Sequence, residues 1–144
     1  MALSAQERAE RSAAAMWAGD GASKWFGMSL VSVTEGRAEA ALTVEAHHAN
    51  GLGKCHGGVI FALADTAFAF ACNSRNQASV AQQNSITYLA PGEVGDRLTA
   101  VAEEVTTAGR SGLYDVTVTN QRDEMIARFT GLSRTVRGQL FDES

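Results

Sequence analysis

The sequence predicts an α+β domain in which an antiparallel sheet packs around one long, buried helix. Residues 59–72 are apolar at every position except Asp65 and Thr66, and neither Gly nor Pro interrupts them. This pattern is typical of a helix buried on nearly every side. Strand-like segments flank the helix, two before it and three or four after it, with turns of hairpin length between them. With 144 residues, the chain has room for one core, so we expect a single domain over residues 1–144.

The chain is expected to begin with a smaller helix at about residues 4–19. Ser4 and Glu7 have the spacing of a capping box. Gly19 or Gly21 would end the helix. Its Ala-rich composition favours docking by one edge over a place in the core.

Alternating and β-branched segments predict the strands of the sheet. Glu35 and Gly36 form the turn between the first two, and Gly109 to Gly112 form a later turn. The expected strands are residues 28–34, 37–44, 78–89, 97–107, 113–121 and 124–137. The other expected elements are a further helical turn at 22–26 and a loop at 47–54 that leads into the central helix.

Composition excludes several classes of function. The formal net charge is −4 and no Lys/Arg cluster compensates for it, which argues against nucleic-acid binding. The apolar run is too short to span a bilayer and contains Asp65. The first twenty residues lack the apolar region of a signal peptide, and Cys55 and Cys72 cannot form a disulfide framework. We therefore expect a cytoplasmic protein with free thiols.

The central helix carries the residues that indicate a reaction. A lone carboxylate such as Asp65 is costly in apolar surroundings unless it is paired, so its presence favours a functional role. Gly57 and Gly58 precede the apolar run, where the free N–H groups of a helix start can approach a polarised oxygen closely. A base and an oxyanion-binding helix terminus together are typical of a hydrolytic site.

Several motifs lie in the predicted helix and in the segments before and after it. They are Asn50, CHGG at 55–58, LAD at 63–65, ACNS at 71–74, YLAPG at 88–92 and YDVTVTNQ at 114–121. An HGG motif alone would be weak evidence, but here an Asn precedes it and an Asp follows on an apolar helix. Together these motifs resemble those of the phenylacetate-degradation (PaaI-type) acyl-CoA thioesterases, which have the hotdog fold.

The resemblance implies roles for individual residues. Asp65 corresponds to the carboxylate that acts as general base or nucleophile, and the residues do not separate these two routes. Gly57 corresponds to the residue whose backbone N–H polarises the thioester carbonyl, and Asn50 to the asparagine that orients the attacking group. His56, Gly58 and Thr66 are the expected substrate-binding residues. Some relatives place a hydroxyl on the strand that faces the site, whereas residues 81–85 read AQQNS here, so the strand residue stays open.

The resemblance also implies the reaction and its participants. The substrate would be an acyl-CoA thioester with an aromatic acyl group of the phenylacetyl or hydroxyphenylacetyl type, cleaved to free acid and CoA without a cofactor. Relatives act as homo-oligomers with sites at subunit interfaces, so a tetramer built as a dimer of dimers is expected. The alternatives are an acyl-thioester hydratase or dehydratase that uses His56 with Asp65, and a non-catalytic acyl-CoA-binding domain.

Other readings of the same segments are weaker. His47, His48, Cys55 and His56 lack the spacing of a zinc site, so no metal is expected. Cys55 beside His56 could form a thiol nucleophile with its base, although sequence neighbours rarely reach that geometry.

Two further sets of residues have roles that the sequence leaves open. The aromatic residues Phe61, Phe68 and Phe70 could line an acyl pocket or fill the core, and three arginines could meet CoA phosphates or solvent: Arg110, Arg134 and Arg137.

Overall fold

A six-stranded antiparallel sheet wraps around one central helix in the computed structural model, which describes residues 2–144. The helices are α1 (Ala5–Ala18), α2 (Gly21–Phe26) and α3 (Gly57–Cys72), with a short 3-10 helix at Ala46–His48. The strands are β1 (Ser29–Thr34), β2 (Arg37–Thr43), β3 (Ser79–Tyr88), β4 (Arg97–Ala108), β5 (Ser111–Thr119) and β6 (Met125–Thr135). The predicted α+β class and the order of helices and strands are confirmed.

The first helix begins at the predicted capping box. Ser4 Oγ accepts the Glu7 N–H at 3.1 Å, and the Glu7 carboxylate accepts the Ser4 N–H at 3.3 Å. Gly19 caps the other end. The buried positions Ala9 and Ala13 lie one turn apart, so α1 docks by one edge, as its composition predicts.

Helix α3 supplies the centre of the core. Phe68 and Phe70 are each 1% exposed, so both fill the core and do not line an acyl pocket. The Phe68 ring packs edge-on against Tyr114, with centroids 5.5 Å apart, and lies 5.9 Å from the Phe129 ring. Its carbon atoms also approach the backbone of Gly131, where a Cβ atom would lie 2.7 Å from the ring. Helix and sheet are therefore in close contact at this point.

The sheet order is β1-β2-β4-β5-β6-β3, which leaves β1 and β3 at the two edges. Strand β3 is ten residues long and pairs only with β6, so one row of its backbone N–H and C=O groups has no strand beside it within residues 2–144. Val80 and Tyr88 are 51% and 49% exposed on this strand. A long, exposed edge of this kind is able to pair with another chain.

One predicted turn is shorter than expected. The sequence suggests a turn from Gly109 to Gly112, whereas β4 ends at Ala108 and β5 begins at Ser111. Gly109 adopts a φ of +59°, which allows a two-residue hairpin turn and lets Gly112 join the ladder opposite Ser133. Within residues 2–144, no helix is both long and apolar enough to cross a membrane.

Candidate active site

Asp65 lies in the middle of α3 with its carboxylate partly buried. Its Oδ1 accepts one hydrogen bond, from the Asn84 side-chain amide on β3 at 2.9 Å. Burial raises the pKa of Asp65 above its usual range, and the Asn84 hydrogen bond opposes that rise. A carboxylate with a raised pKa is a better proton acceptor than an ordinary surface aspartate.

A second buried carboxylate shows what a purely structural aspartate looks like in this fold. Asp96 is 4% exposed, and its two oxygens accept hydrogen bonds from the Glu93 N–H and the Gln121 amide, both at 2.9 Å. These bonds, the Gln121 one first, hold the pKa of Asp96 below its usual range. Asp65 has only one hydrogen-bond donor, whereas Asp96 has two. The charge of Asp65 is therefore less well stabilised than that of the structural carboxylate Asp96.

The start of α3 presents a free backbone donor. His56 is the N-cap residue, and its Nδ1 accepts the Gly58 N–H at 2.8 Å. The Gly57 N–H has no acceptor among the residues that the structure describes. Because the N-terminal end of a helix carries partial positive charge, this N–H is suited to a developing oxyanion.

Tyr88 forms one wall beside this donor. Its hydroxyl donates to the Gly57 carbonyl oxygen at 2.8 Å, and a Cβ atom on residue 57 would lie 3.1 Å from that hydroxyl and 3.2 Å from the ring carbon that bears it. Only glycine fits here without displacing the ring. The adjoining cleft has a volume of about 390 Å³. Its lining residues are Asn50, Lys54, Cys55, Gly57, Ile60, Tyr88, Leu89, Ala90 and Pro91.

We expect Gly57→Ala to lower kcat/KM roughly 10- to 100-fold, because the added methyl group pushes Tyr88 and the oxyanion donor out of position. Thiol release from an acyl-CoA measures this loss. If the cause is steric, the double variant Gly57→Ala/Tyr88→Ala loses less activity than the two single variants together. Strictly additive losses would show that the contact with Tyr88 is not responsible.

Asn50 shapes the loop that leads into α3. Its side-chain oxygen accepts hydrogen bonds from the backbone N–H groups of Leu52 at 2.9 Å and of Lys54 at 3.1 Å. The backbone N–H of Asn50 donates to the Lys54 carbonyl oxygen at 2.7 Å. The side-chain amide N–H₂ group makes no hydrogen bond within residues 2–144. Asn50 therefore fixes the loop with one end of its side chain and keeps the other end available at the cleft.

The predicted site residues form two groups in one chain. Asn50, Gly57, His56 and Gly58 lie together around the start of α3. Asp65 lies eight residues further along the helix, which corresponds to about 12 Å of axial rise. Thr66 is beside it, with its hydroxyl oxygen 3.3 Å from Ser23 Oγ on α2. These two groups are too far apart to act on one carbonyl within a single chain.

Neither cysteine has the character of a nucleophile. Burial first, and the nearby Asp96 charge second, raise the pKa of Cys55 to about 11. Burial, with a smaller contribution from Asp65, raises the pKa of Cys72 to about 12. Both thiols are neutral near pH 7, whereas thiol chemistry needs the thiolate.

The histidines near the 3-10 helix do not fit a metal ion. Glu45, His47 and His48 bring ligand atoms within 4.8 Å of one another. However, His48 Nδ1 accepts the Glu45 N–H at 2.9 Å, and its Nε2 lies 2.8 Å from the Phe26 carbonyl oxygen, to which it must donate. Both nitrogens of His48 are engaged, so only two exposed ligands remain.

Sequence reasoning missed two residues of the site, Asn84 and Tyr88. Asn84 falls within the stretch 81–85 in which the strand residue stayed open, and Tyr88 opens the YLAPG motif. The available signal for Asn84 was its spacing of two residues from Ile86, which places both on one face of a strand.

Comparisons with known proteins agree with this geometry. The family model described as the thioesterase superfamily matches residues 52–127. The acyl-coenzyme A thioesterase PaaI of Escherichia coli is 41% identical over 137 residues, which cover 95% of this chain and 98% of that protein.

Solved structures show the same likeness. The E. coli PaaI protein, from the phenylacetic acid degradation operon, superposes with a TM-score of 0.92 over 94% of this chain and 99% of its own. A Streptococcus mutans protein bound to acetyl CoA is 30% identical, with a TM-score of 0.74 over 78% of this chain and 90% of its own. The predicted hotdog fold and the resemblance to PaaI-type enzymes are confirmed, and the chain belongs to the thioesterase superfamily.

Proposed function

We propose that this protein hydrolyses acyl-CoA thioesters to the free acid and CoA. The observation that carries the proposal is Asp65, a partly buried carboxylate with a raised pKa and one hydrogen-bond donor, on the same helix that presents the free Gly57 N–H. The E. coli relative is named an acyl-CoA thioesterase, and the S. mutans structure contains acetyl CoA. The phenylacetic acid operon of the E. coli protein favours an aromatic acyl group of the phenylacetyl or hydroxyphenylacetyl type.

The geometry suits thioester hydrolysis because a thiolate leaves readily without much assistance. The reaction needs polarisation of the carbonyl and delivery of an oxygen nucleophile. The Gly57 N–H would receive the developing oxyanion at the positive end of α3, and Asp65 would supply or activate the attacking oxygen. Asn50, through its unbonded amide N–H₂ group, would orient the attacking group.

The remaining predicted residues have supporting positions. His56 is an exposed residue whose Nδ1 caps the helix, and its Nε2 makes no hydrogen bond within residues 2–144, so this nitrogen is able to contact substrate. Gly58 allows the His56 ring to lie close to the start of α3, because a Cβ at residue 58 would lie 3.0 Å from that ring. The Thr66 hydroxyl, next to Asp65, would contact the acyl portion.

A second copy of the chain would complete the site. The axial separation of about 12 Å between Gly57 and Asp65 on one helix prevents them from meeting at one carbonyl. The exposed edge of β3, which carries Asn84 close to Asp65, offers the surface for pairing with another β3. We propose a homodimer joined at β3, with two dimers forming a tetramer, in the cytoplasm.

Mixing two variants of low activity tests the shared site. We expect Asp65→Asn combined with Gly57→Ala to regain activity after subunit exchange, since half of the dimers are mixed and each holds one intact site. Random exchange restores about a quarter of the wild-type activity. A mixture of Asp65→Asn with Asp65→Ala serves as the control and stays inactive. No recovery, despite exchange demonstrated with tagged subunits, would contradict a site shared between chains.

A further inference from the structure

Asn84 is the one side chain that contacts the Asp65 carboxylate by a hydrogen bond in the described chain. It lies on β3 opposite Gly131 of β6, on the side of the sheet that faces α3. Its Nδ2 donates to Asp65 Oδ1 at 2.9 Å, and Asp65 Oδ2 accepts no hydrogen bond within residues 2–144. The contact therefore distinguishes the two carboxylate oxygens and leaves one of them available.

The other end of the same amide is an unusual feature of the core. Asn84 Oδ1 is buried and has no hydrogen-bond partner among residues 2–144. Buried side-chain oxygens are nearly always paired, so leaving this one unpaired is a cost of directing the amide N–H₂ group at Asp65. In the opposite orientation of the Asn84 amide, its oxygen would face the Asp65 carboxylate oxygen. The two oxygens would repel each other when Asp65 is ionised.

The two unpaired oxygens differ in what they can do. Asn84 Oδ1 is buried and out of reach of a water molecule in the described chain. Asp65 is only partly buried, and its Oδ2 is the carboxylate oxygen that is left to take a proton. The Asn84 hydrogen bond therefore selects which carboxylate oxygen meets the attacking water.

We propose, on the basis of the thioesterase function above, that Asn84 is the positioning residue of Asp65: its amide N–H₂ group fixes Oδ1 and leaves Oδ2 to activate the hydrolytic water. Asp65 then acts as a general base. Its Oδ2 takes one proton as the water oxygen bonds to the thioester carbon, and the carbonyl electrons move onto the oxygen held by Gly57 N–H. When the carbonyl re-forms, the C–S bond breaks and the thiolate takes the proton from Asp65. Water and thioester are converted into acid and thiol.

The electrostatic surroundings of Asp65 make a pH profile informative. Within residues 2–144, burial and the Asn84 hydrogen bond are the causes that shift the pKa of Asp65, and no charged group on α2 or the strands contributes. Cys72, two turns along α3, is the titratable group that responds to the Asp65 charge, and its thiol is neutral near pH 7. A shift of the acid limb of the pH–rate profile in an Asn84 variant therefore reports the loss of the Asn84 hydrogen bond to Asp65.

Asn84→Leu tests the proposal, because it keeps the shape of the side chain and removes both polar atoms. We expect kcat to fall roughly 10- to 100-fold with KM nearly unchanged, and the acid limb of the pH–rate profile to move to higher pH. Asn84→Asp places a second carboxylate beside Asp65 and should move the limb further in the same direction. Gln121→Leu is the matched control, since it removes an amide bonded to the structural carboxylate Asp96 at the same 2.9 Å. It should leave kcat and the acid limb unchanged.

Three further measurements keep the outcome decisive. Thermal unfolding and gel filtration confirm that each variant folds and assembles. A carboxyl-carbon NMR titration of Asp65 reports its pKa without substrate, so it tests Asn84 even if the wild type hydrolyses no thioester. Intact-protein mass spectrometry of quenched reactions should show no acyl adduct. An unchanged Asp65 titration in Asn84→Leu, a loss of kcat that is equal at every pH, or a covalent acyl–Asp65 adduct would each overturn the proposal.

Discussion

Asp65→Asn is expected to lower thiol release by about 10²- to 10⁴-fold, the usual contribution of a positioned general base. Asparagine keeps the size of the side chain and can still accept the Asn84 amide hydrogen at its oxygen. It cannot take a proton from water or attack the thioester carbon. Steady-state release of free thiol from an acyl-CoA measures the loss. Activity within tenfold of wild type would remove Asp65 from the chemistry.

The same substitution is expected to make the protein more stable near pH 7. Burial raises the pKa of Asp65 in the folded chain. The stability that the protonated carboxyl contributes is fully present below the unfolded-state pKa of about 4. It is lost as the pH rises from there through the folded-state pKa. An uncharged asparagine avoids that loss, so the free energy of unfolding of the variant should exceed that of wild type at pH 7, and the difference should shrink below about pH 4.

Asp96→Asn is the matched control, and its effect should have the opposite sign. The Gln121 hydrogen bond and the Glu93 N–H lower the pKa of Asp96. Its charged form therefore stabilises the fold above the unfolded-state pKa, and this contribution is lost as the pH falls through the folded-state pKa. Urea unfolding of both variants at neutral and acidic pH separates the two cases. Destabilisation by Asp65→Asn at pH 7 would contradict a functional, energetically costly carboxylate.

Gly131→Ala is expected to have the largest effect on stability. The added Cβ would lie 2.7 to 2.8 Å from three atoms of the Phe68 ring, and that ring is 1% exposed and also contacts Tyr114 and Phe129. Because the ring has no free space to move into, overpacking should lower the free energy of unfolding by about 1–3 kcal/mol. For a domain of this size the melting temperature should fall by roughly 3–10 °C.

Gly21→Ala provides the comparison for this effect. Residue 21 begins α2, and a Cβ there meets no atom within 4 Å. Alanine also has a higher helix propensity than glycine, so this variant should be as stable as wild type or slightly more stable. If Gly131→Ala melts at the same temperature as Gly21→Ala, the close contact between Phe68 and β6 is not a constraint on the core.

Local signals predicted the parts of the fold that depend on neighbouring residues. The unbroken apolar run predicted α3, and Ser4 with Glu7 predicted the start of α1, because periodicity and capping are properties of consecutive residues. The predicted turn at Glu35 and Gly36 also joins β1 to β2. The order of helices and strands followed from these signals, and the family motifs then indicated how the sheet encloses the helix.

The contacts that build the site join residues that are far apart in the sequence, so spacing along the chain could not predict them. Asn84 meets Asp65 across 19 positions, and Tyr88 meets Gly57 across 31. Alternation from Ile86 places Asn84 on the same face of β3, but it does not show which residue of α3 Asn84 meets. The register of β3 against β6 shifts between Ala81 and Gln83, so alternation fails for the residues before that shift. A bulge of this kind changes the face of every side chain on one side of it.

The role of His56 shows a different limit of sequence reasoning. The HGG motif is compatible with a substrate contact, an acid–base group or a helix cap. The structure shows that Nδ1 caps α3 through the Gly58 N–H. Sequence spacing alone could not assign this, since the choice depends on the backbone angles at residue 56, where the chain is still extended at a ψ of 135°.

The measurement that tests the central claim most directly is the fate of phenylacetyl-CoA with wild-type protein. Free thiol and phenylacetate are quantified together over the same time course, beside hydroxyphenylacetyl, short aliphatic and enoyl thioesters. We expect one thiol and one acid for each thioester consumed, with the aromatic substrates preferred. Consumption of the enoyl thioester without thiol release would indicate a hydratase. Binding of acyl-CoA with no turnover of any thioester would contradict hydrolysis at this site.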